Sequence, residues 1–248
     1  MCTVSYIPTE DGFVLTSNRD ESTGRPRSLP PQKFEHTSQS LFYPKDTLAG
    51  GTWIVTSEKV YTLCLLNGAF VKHKHEPPYK KSRGILVLEF FNYPDLNTFI
   101  TEYDFTGIEP FTLLVVYFSN DVKELTELRW DGKTLHINEK HALEPHIWSS
   151  STLYEPAIAG QRENMFADFL SKNPAPEQDE IIGFHSQKDE NDPINSIVMN
   201  RNGMMRTVST TSIHRTQDFI KIVYNDILLN KTYRFRIMQM NSSCNNNT

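Results

Sequence analysis

The stretch MCTVSYIPTEDGFVLTSNRDE, residues 1–21, decides the fold. Residues 4–7 and 13–17 are β-branched or aromatic runs on either side of Pro8-Thr9-Glu10-Asp11-Gly12. Asp-Gly between two such runs signals a hairpin turn. Residues 3–18 therefore read as an N-terminal hairpin, and the chain begins inside a sheet. In an antiparallel pair the end of the second strand returns beside the start of the first, which brings Asn18-Arg19-Asp20-Glu21 next to Cys2. Side chains alternate along a strand, so Asn18 and Asp20 are expected on one face and Arg19 on the other.

That corner is where chemistry is expected. An initiator methionine is commonly removed before a small residue, which would leave Cys2 with its own α-amine. The amine has a reference pKa of about 7.7–8.0 and the thiol of about 8.5, so one residue carries a base and a nucleophile that both titrate near neutrality. A nearby cation depresses the thiol further. On the residues alone, Cys2 can also be a small strand-opening side chain, and residues 18–21 a solvated turn whose surface ion pair is worth little.

Working outward, residues 22–46 contain Pro26, Pro30, Pro31 and Pro44 with little periodicity and read as a long surface loop of the kind that often carries function. After Gly50-Gly51, residues 52–56 and 60–66 read as a second pair of strands ending at Asn67-Gly68. Residues 72–83 form a basic, proline-containing loop. Ile85, Leu86, Leu88, Phe90 and Phe91 then suggest a buried helix, and a second begins at Pro94 with Leu96, Phe99, Ile100 and Tyr103 at spacings of three and four. Residues 113–118, 124–130 and 134–137 read as a meander, and 155–171 as a helix ended by Pro174 and Pro176. The last strands are expected at 196–199, 205–210, 219–223 and 232–237. Blocks of strands and helices in this order suit helices packed outside antiparallel sheets, an α+β sandwich with two stacked sheets, better than a βαβ alternation. One domain is expected over residues 1–240, with a disordered polar tail at 241–248.

Composition narrows the function classes. The chain has 25 Lys and Arg against 30 Asp and Glu, a net charge of −5, which argues against a dedicated nucleic-acid binder. No run approaches the roughly 20 apolar residues that span a bilayer, and the start lacks a basic stretch followed by an apolar one. A cytoplasmic protein without a membrane span is expected. Three scattered cysteines, Cys2, Cys64 and Cys244, fit neither a disulfide framework nor a metal-binding CxxC pattern. Cys64 reads as an inert core thiol and Cys244 lies in the tail. His73-x-His75 could present two imidazoles to one metal, but Glu76 is the lone third ligand nearby and the surrounding lysines oppose a cation. His136, His141 and His146 are too dispersed to form a site. Neither metal nor cofactor is expected. Lys72, Lys74, Lys80, Lys81 and Arg83 suit a solvated loop better than an anion site, and Trp53 is either a pocket wall or a buried anchor.

Cys2 after the initiator, Asn18-Arg19-Asp20-Glu21, Gly50-Gly51-Thr52-Trp53 and a strand ending in Asn67 together resemble the NRDE family, that of the transport and Golgi organisation 2 proteins. Two segments depart from the family pattern: Ser150-Ser151 stands where Ser-Asn is usual, and Val208 replaces the arginine of a Thr-Arg-Ser-Ser-Thr segment. The family is similar to N-terminal nucleophile hydrolases of the penicillin V acylase and choloylglycine hydrolase type. That resemblance implies a four-layer αββα sandwich and a catalytic set drawn from Cys2, Asn18, Arg19, Asp20 and Asn67. In it, Cys2 attacks an amide carbonyl, Asp20 holds its amine, and Asn67 with a backbone N–H donates to the oxyanion. Arg19 sits directly before Asp20, whereas those hydrolases space the two residues three apart. The implied reaction is hydrolysis of a carbon–nitrogen bond in a small amide through a thioester. The rival is a non-catalytic member that binds a lipid-like or cofactor-like ligand in the same cleft. Nothing in the sequence fixes an oligomeric state.

Overall fold

A computed structural model describes residues 3–37, 39–120 and 122–239. The opening hairpin is present: β1 (Thr3–Pro8) and β2 (Gly12–Ser22) pair antiparallel from Thr3 opposite Asn18 to Pro8 opposite Phe13. Next come β3 (Leu29–His36), β4 (Gln39–Lys45), β5 (Ile54–Ser57) and β6 (Tyr61–Asn67). Two short helices follow, α1 (Arg83–Glu89), continued by a 3₁₀ turn at Phe90–Asn92, and α2 (Leu96–Glu102), N-capped by Asp95. After them run β7 (Phe111–Ser119), β8 (Val122–Trp130), β9 (Leu135–Lys140) and β10 (His146–Ser149). Then α3 (Pro156–Lys172) and α4 (Gln178–His185) lead to β11 (Asn200–Arg201), β12 (Met205–Thr216), β13 (Phe219–Asp226) and β14 (Lys231–Met238).

The strands form two antiparallel sheets. The first has the order β10-β1-β2-β12-β13-β14, with β11 on β12, and the second runs β3 to β9 in chain order. Alternation assigns each strand's residues to one of two faces. Val4, Tyr6, Phe13, Leu15, Ile213 and Ile222 of the first sheet meet Trp53, Ile54, Cys64, Leu114 and Val116 of the second in a core between the sheets. The outer face of the second sheet buries Val55, Leu63, Leu113 and Val115 against Leu86, Phe90 and Phe99 of the α1–α2 layer. The outer face of the first packs Ile7 and Val14 on Phe166 of α3 and on Ile181 and Phe184 of α4. The order of layers is therefore helix, sheet, sheet, helix, as the resemblance implied. At the end of the sandwich away from Asn18, Arg215 of β12 crosses between the sheets and donates to Thr56 Oγ1 (3.0 Å) and to the carbonyls of Ser57 (2.8 Å) and Lys59.

Several expectations are corrected. Residues 22–46 are not one loop, because they contain the β3–β4 hairpin. Pro30 and Pro31 sit in an edge strand whose register slips between Leu29 and Gln32, and Pro44 lies beyond Leu41 and Phe42, through which β4 pairs with β5. A missing N–H costs little at such places. Residues 196–199 form no strand; the apolar Ile197 packs into the α3–α4 layer. The short β10, which extends the sheet beyond β1, and α4, opened by a reciprocal Glu177–Glu180 capping box, were missed. Cys2, Cys244 and the polar tail lie outside the described residues.

Cys64 is fully buried between the sheets, and burial pushes its thiol up to about 12. We expect it to resist iodoacetamide in the native protein at pH 8 and to react once the chain is unfolded in urea, as read by peptide mass.

Candidate functional site

The site is built where β1 begins, β2 ends and β6 ends. Thr3 is paired on one side with Asn18 of β2 and on the other with Ser149 of β10. Alternation along β2 divides the NRDE stretch as expected, with Asn18 and Asp20 toward the helices and Arg19 between the sheets.

Asn18 donates from Nδ2 to the carbonyls of His185 (3.0 Å) and Ile197 (3.1 Å) and accepts from Thr210 Oγ1 (2.9 Å). With its carboxamide used on both sides, it tethers β2 to the end of α4 and to the segment after it. Asp20 is also buried, and its oxygens accept from Thr207 Oγ1 (2.5 Å) and from Tyr154 Oη (2.9 Å). Arg19 lies 4.6 Å from the centre of the Trp53 ring and donates to Asp46 (2.8 Å) and Glu21 (3.3 Å). Arg25 adds a second donor to Asp46, at 2.9 Å. Burial works against the Asp46 charge, but the Ala49 N–H and the two guanidinium groups outweigh it and hold the carboxyl below its usual range.

The Gly50-Gly51-Thr52-Trp53 segment builds the wall of this cleft. Gly50 takes a positive φ of 76° and closes a turn by donating to the Asp46 carbonyl. Gly51 passes so close to α1 that a Cβ would fall 2.2 Å from the carbonyl carbon of Gly84. Thr52 ties the segment down, its N–H donating to the Gly84 carbonyl and its hydroxyl to that of Pro44. Trp53 is thereby both wall and anchor: it is buried in the inter-sheet core and carries Arg19 on its face. A polar cleft of about 190 Å³ is lined by Arg19, Arg25, Arg83, Trp53 and Asn67 among others.

Asn67, the last residue of β6, accepts from Ser150 Oγ through its backbone carbonyl (2.8 Å). The residue also lines that cleft. Gly68 follows at φ 80°, with Ser151 Oγ 2.5 Å from the place of a Cβ. Beyond Ser151 a second cleft of about 770 Å³ opens, lined by Phe70, Trp148, Tyr154, Ile158 and Arg201 among others. The sequence reading overlooked Tyr154 and Arg162, which join Asp20 to Thr3. A lone tyrosine and an arginine on a helical face carry no motif, so no signal was available.

His73 Nε2 (3.0 Å) and His75 Nδ1 (3.2 Å) both reach Oε1 of Glu109, whose other oxygen pairs with Arg83 at 2.9 Å. The two imidazoles thus converge on a carboxylate already neutralised by arginine. Among the described residues no cluster of three His, Cys, Asp or Glu side chains could hold a metal ion, and no helix is long and apolar enough to cross a membrane.

His185 underlies the site. Its Nε2 is 2.7 Å from Ser5 Oγ, and burial, with the Arg162 charge behind it, pushes the imidazole down to about 3. The unfolded chain binds this proton near pH 6.5 and the folded one does not, so stability is complete above about 6.5 and falls as pH drops toward 3. We expect the urea midpoint to decline over pH 6.5–4 by an amount equivalent to about 1.4 kcal/mol per pH unit from this residue, a component that His185→Gln removes.

Two stacked antiparallel sheets between helical layers, with the β1–β2 corner at one end, define the fold of the N-terminal nucleophile hydrolases. The chain belongs to the Transport and Golgi organisation 2 family, whose pattern it matches over residues 1–215. Among solved structures it is similar to two variants of a conjugated bile acid hydrolase from Clostridium perfringens. One is 11% identical, with 96% of this chain and 92% of that chain covered and a TM-score of 0.54. The other is 12% identical, with 99% and 100% covered and a TM-score of 0.52. The Caenorhabditis elegans ortholog of an N-acylethanolamine-hydrolyzing acid amidase is 12% identical, with 86% and 92% covered and a TM-score of 0.50. At these identities the likeness is one of fold. No curated protein matches the chain.

Proposed function

We propose that this protein is an N-terminal cysteine hydrolase that cleaves the carbon–nitrogen bond of a small amide through a thioester on Cys2. The observation that carries the reading is the position of Thr3. Its strand partners are Asn18 and Ser149, and Cys2, bonded to it, is one Cα–Cα step of about 3.8 Å away. The reading requires the Cys2 thiol on the face that Val4 and Tyr6 share, toward Arg19 and Asn67.

In the first half-reaction the Cys2 sulfur bonds to the amide carbon as its proton passes to the α-amine, directly or through water. The Asn67 carboxamide donates to the oxyanion; a donor of this kind contributes about 2.7–4 kcal/mol where it has been removed elsewhere. The C–N bond then breaks and the ammonium returns the proton to the leaving nitrogen. Water attacks the thioester, gives one proton back through the amine and releases the acid and the free thiol. Asp20, restrained by Thr207 and Tyr154, holds the amine, and Arg19 gives the cleft a fixed positive charge. The partner in this reading is a small amide or lipid-like molecule met in the cytoplasm.

A non-catalytic binder in the same cleft is the second reading, favoured by Ser151 and Val208, which lack the amide and the guanidinium of the family pattern. Intact mass and acyl trapping separate the two. The hydrolase reading expects a chain without Met1 and, with an activated acyl ester, a mass adduct on Cys2 that hydroxylamine removes. A retained Met1, or no adduct at Cys2, overturns it.

A further inference from the structure

Arg162 of α3 is among the largest fully enclosed side chains, 1% exposed. Its Nη1 donates to Thr3 Oγ1 at 2.5 Å, and Nη2 to the carbonyls of Asn195 (3.1 Å) and Ser196 (2.7 Å). The guanidinium carbon lies 3.6 Å from the centre of the Tyr154 ring. Its partners among the described residues are thus one hydroxyl, two carbonyls and a ring face. None is a carboxylate, and Nε has no partner among them.

A cation taken out of water without a countercharge is costly. Here it is held one residue from Cys2, and the anion linked to it is Asp20, reached through the Tyr154 hydroxyl at 2.9 Å. The two charges act on an amine at this corner in opposite ways. Asp20 alone favours the ammonium form and so removes the base, whereas a fixed cation favours the neutral amine and the thiolate.

We infer that Arg162 is a positioning residue that keeps the Cys2 amine neutral and its thiol acidic near pH 7, with Tyr154 restraining the opposing field of Asp20. The inference rests on the hydrolase reading for its use in catalysis. Other charged and titratable groups at the cluster agree with it. His185 of α4 stays uncharged because it is buried. Arg201 of β11 lies on Tyr154 at 5.4 Å and adds positive charge, while Glu163, next to Arg162 on α3, faces solvent.

The test is the pH dependence of Cys2 alkylation by iodoacetamide in the full mature chain, read at the Cys2 peptide by mass. Arg162→Met is expected to raise the midpoint by about one pH unit or more, lowering the rate at pH 7 about tenfold and leaving the rate above pH 10 unchanged. Arg162→Lys, which keeps the charge, is expected to retain the wild-type midpoint. Tyr154→Phe, which keeps the ring under the guanidinium but frees one Asp20 oxygen, moves the midpoint the same way by less. A folded Arg162→Met with a wild-type midpoint overturns the inference, as do equal shifts in the Lys and Met variants. If Arg162→Met does not fold, an unchanged midpoint in Tyr154→Phe overturns it instead. Alkylation needs no turnover, so the two readings fail separately. A shifted midpoint without hydrolysis supports the inference and defeats the hydrolase, whereas acyl trapping without a shift does the reverse.

Discussion

Cys2→Ala is expected to lower turnover of an amide substrate by roughly a thousandfold or more and to abolish the acyl adduct. In the proposed reaction the sulfur is the bond-forming atom, and Cys64, the one cysteine among the described residues, cannot stand in for it. Cys64 is sealed between the sheets with its thiol held protonated, and it is remote from chemistry for that reason. Cys64→Ala therefore serves as the control and should leave turnover unchanged. Progress curves on an amide substrate, with circular dichroism to confirm folding, provide the measurement. Wild-type turnover in folded Cys2→Ala would remove Cys2 from the mechanism.

The second large effect concerns backbone approach. Gly51→Ala places a methyl 2.2 Å from the carbonyl carbon of Gly84, 2.4 Å from its oxygen and 2.6 Å from the nitrogen of Ile85. All three are main-chain atoms that cannot rotate aside. Either α1 moves off the second sheet or the segment carrying Trp53 shifts, and both disrupt the platform under Arg19. Overpacking of this kind costs about 3 kcal/mol or more. In a chain of this size that corresponds to a fall in Tm of roughly 10 °C. Gly50→Ala meets no atom closer than 3.9 Å and is expected to cost less, because only its positive φ is strained. Calorimetry on both variants checks the order; equal losses would show that the Gly51–Gly84 contact is not what requires glycine.

Much of this architecture was legible in order and period. The Asp11-Gly12 turn between two apolar runs, the meander from Phe111 to Lys140 and the helical spacing of Ile158, Arg162, Phe166 and Phe169 are local signals, and each became the expected element. The failures share a cause. Pro30, Pro31 and Pro44 look like loop residues until it is known that β3 is an edge and that β4 pairs only briefly with β5. Ile197 looks like a strand residue until the α3–α4 layer supplies another surface to bury it, and Met199 until Tyr154 does. Edge position and layer contact are relations between distant segments, which local pattern does not contain.

The same division runs through the site. Alternation alone placed Asn18 and Asp20 on one face and Arg19 on the other, because the period of a strand is a property of the backbone. The motif pattern likewise singled out Asn67 and the Gly50–Trp53 segment. Tertiary structure decided what each residue spends its bonds on: Asn18 on His185 and Ile197, Arg19 on Asp46 and the Trp53 face, Asp20 on Thr207 and Tyr154. It also brought Arg162 from 159 residues away to the hydroxyl of Thr3. A hydrogen bond or a buried charge acts over a few ångströms whatever the separation along the chain, so those partners exist only once the two sheets and their helices have closed.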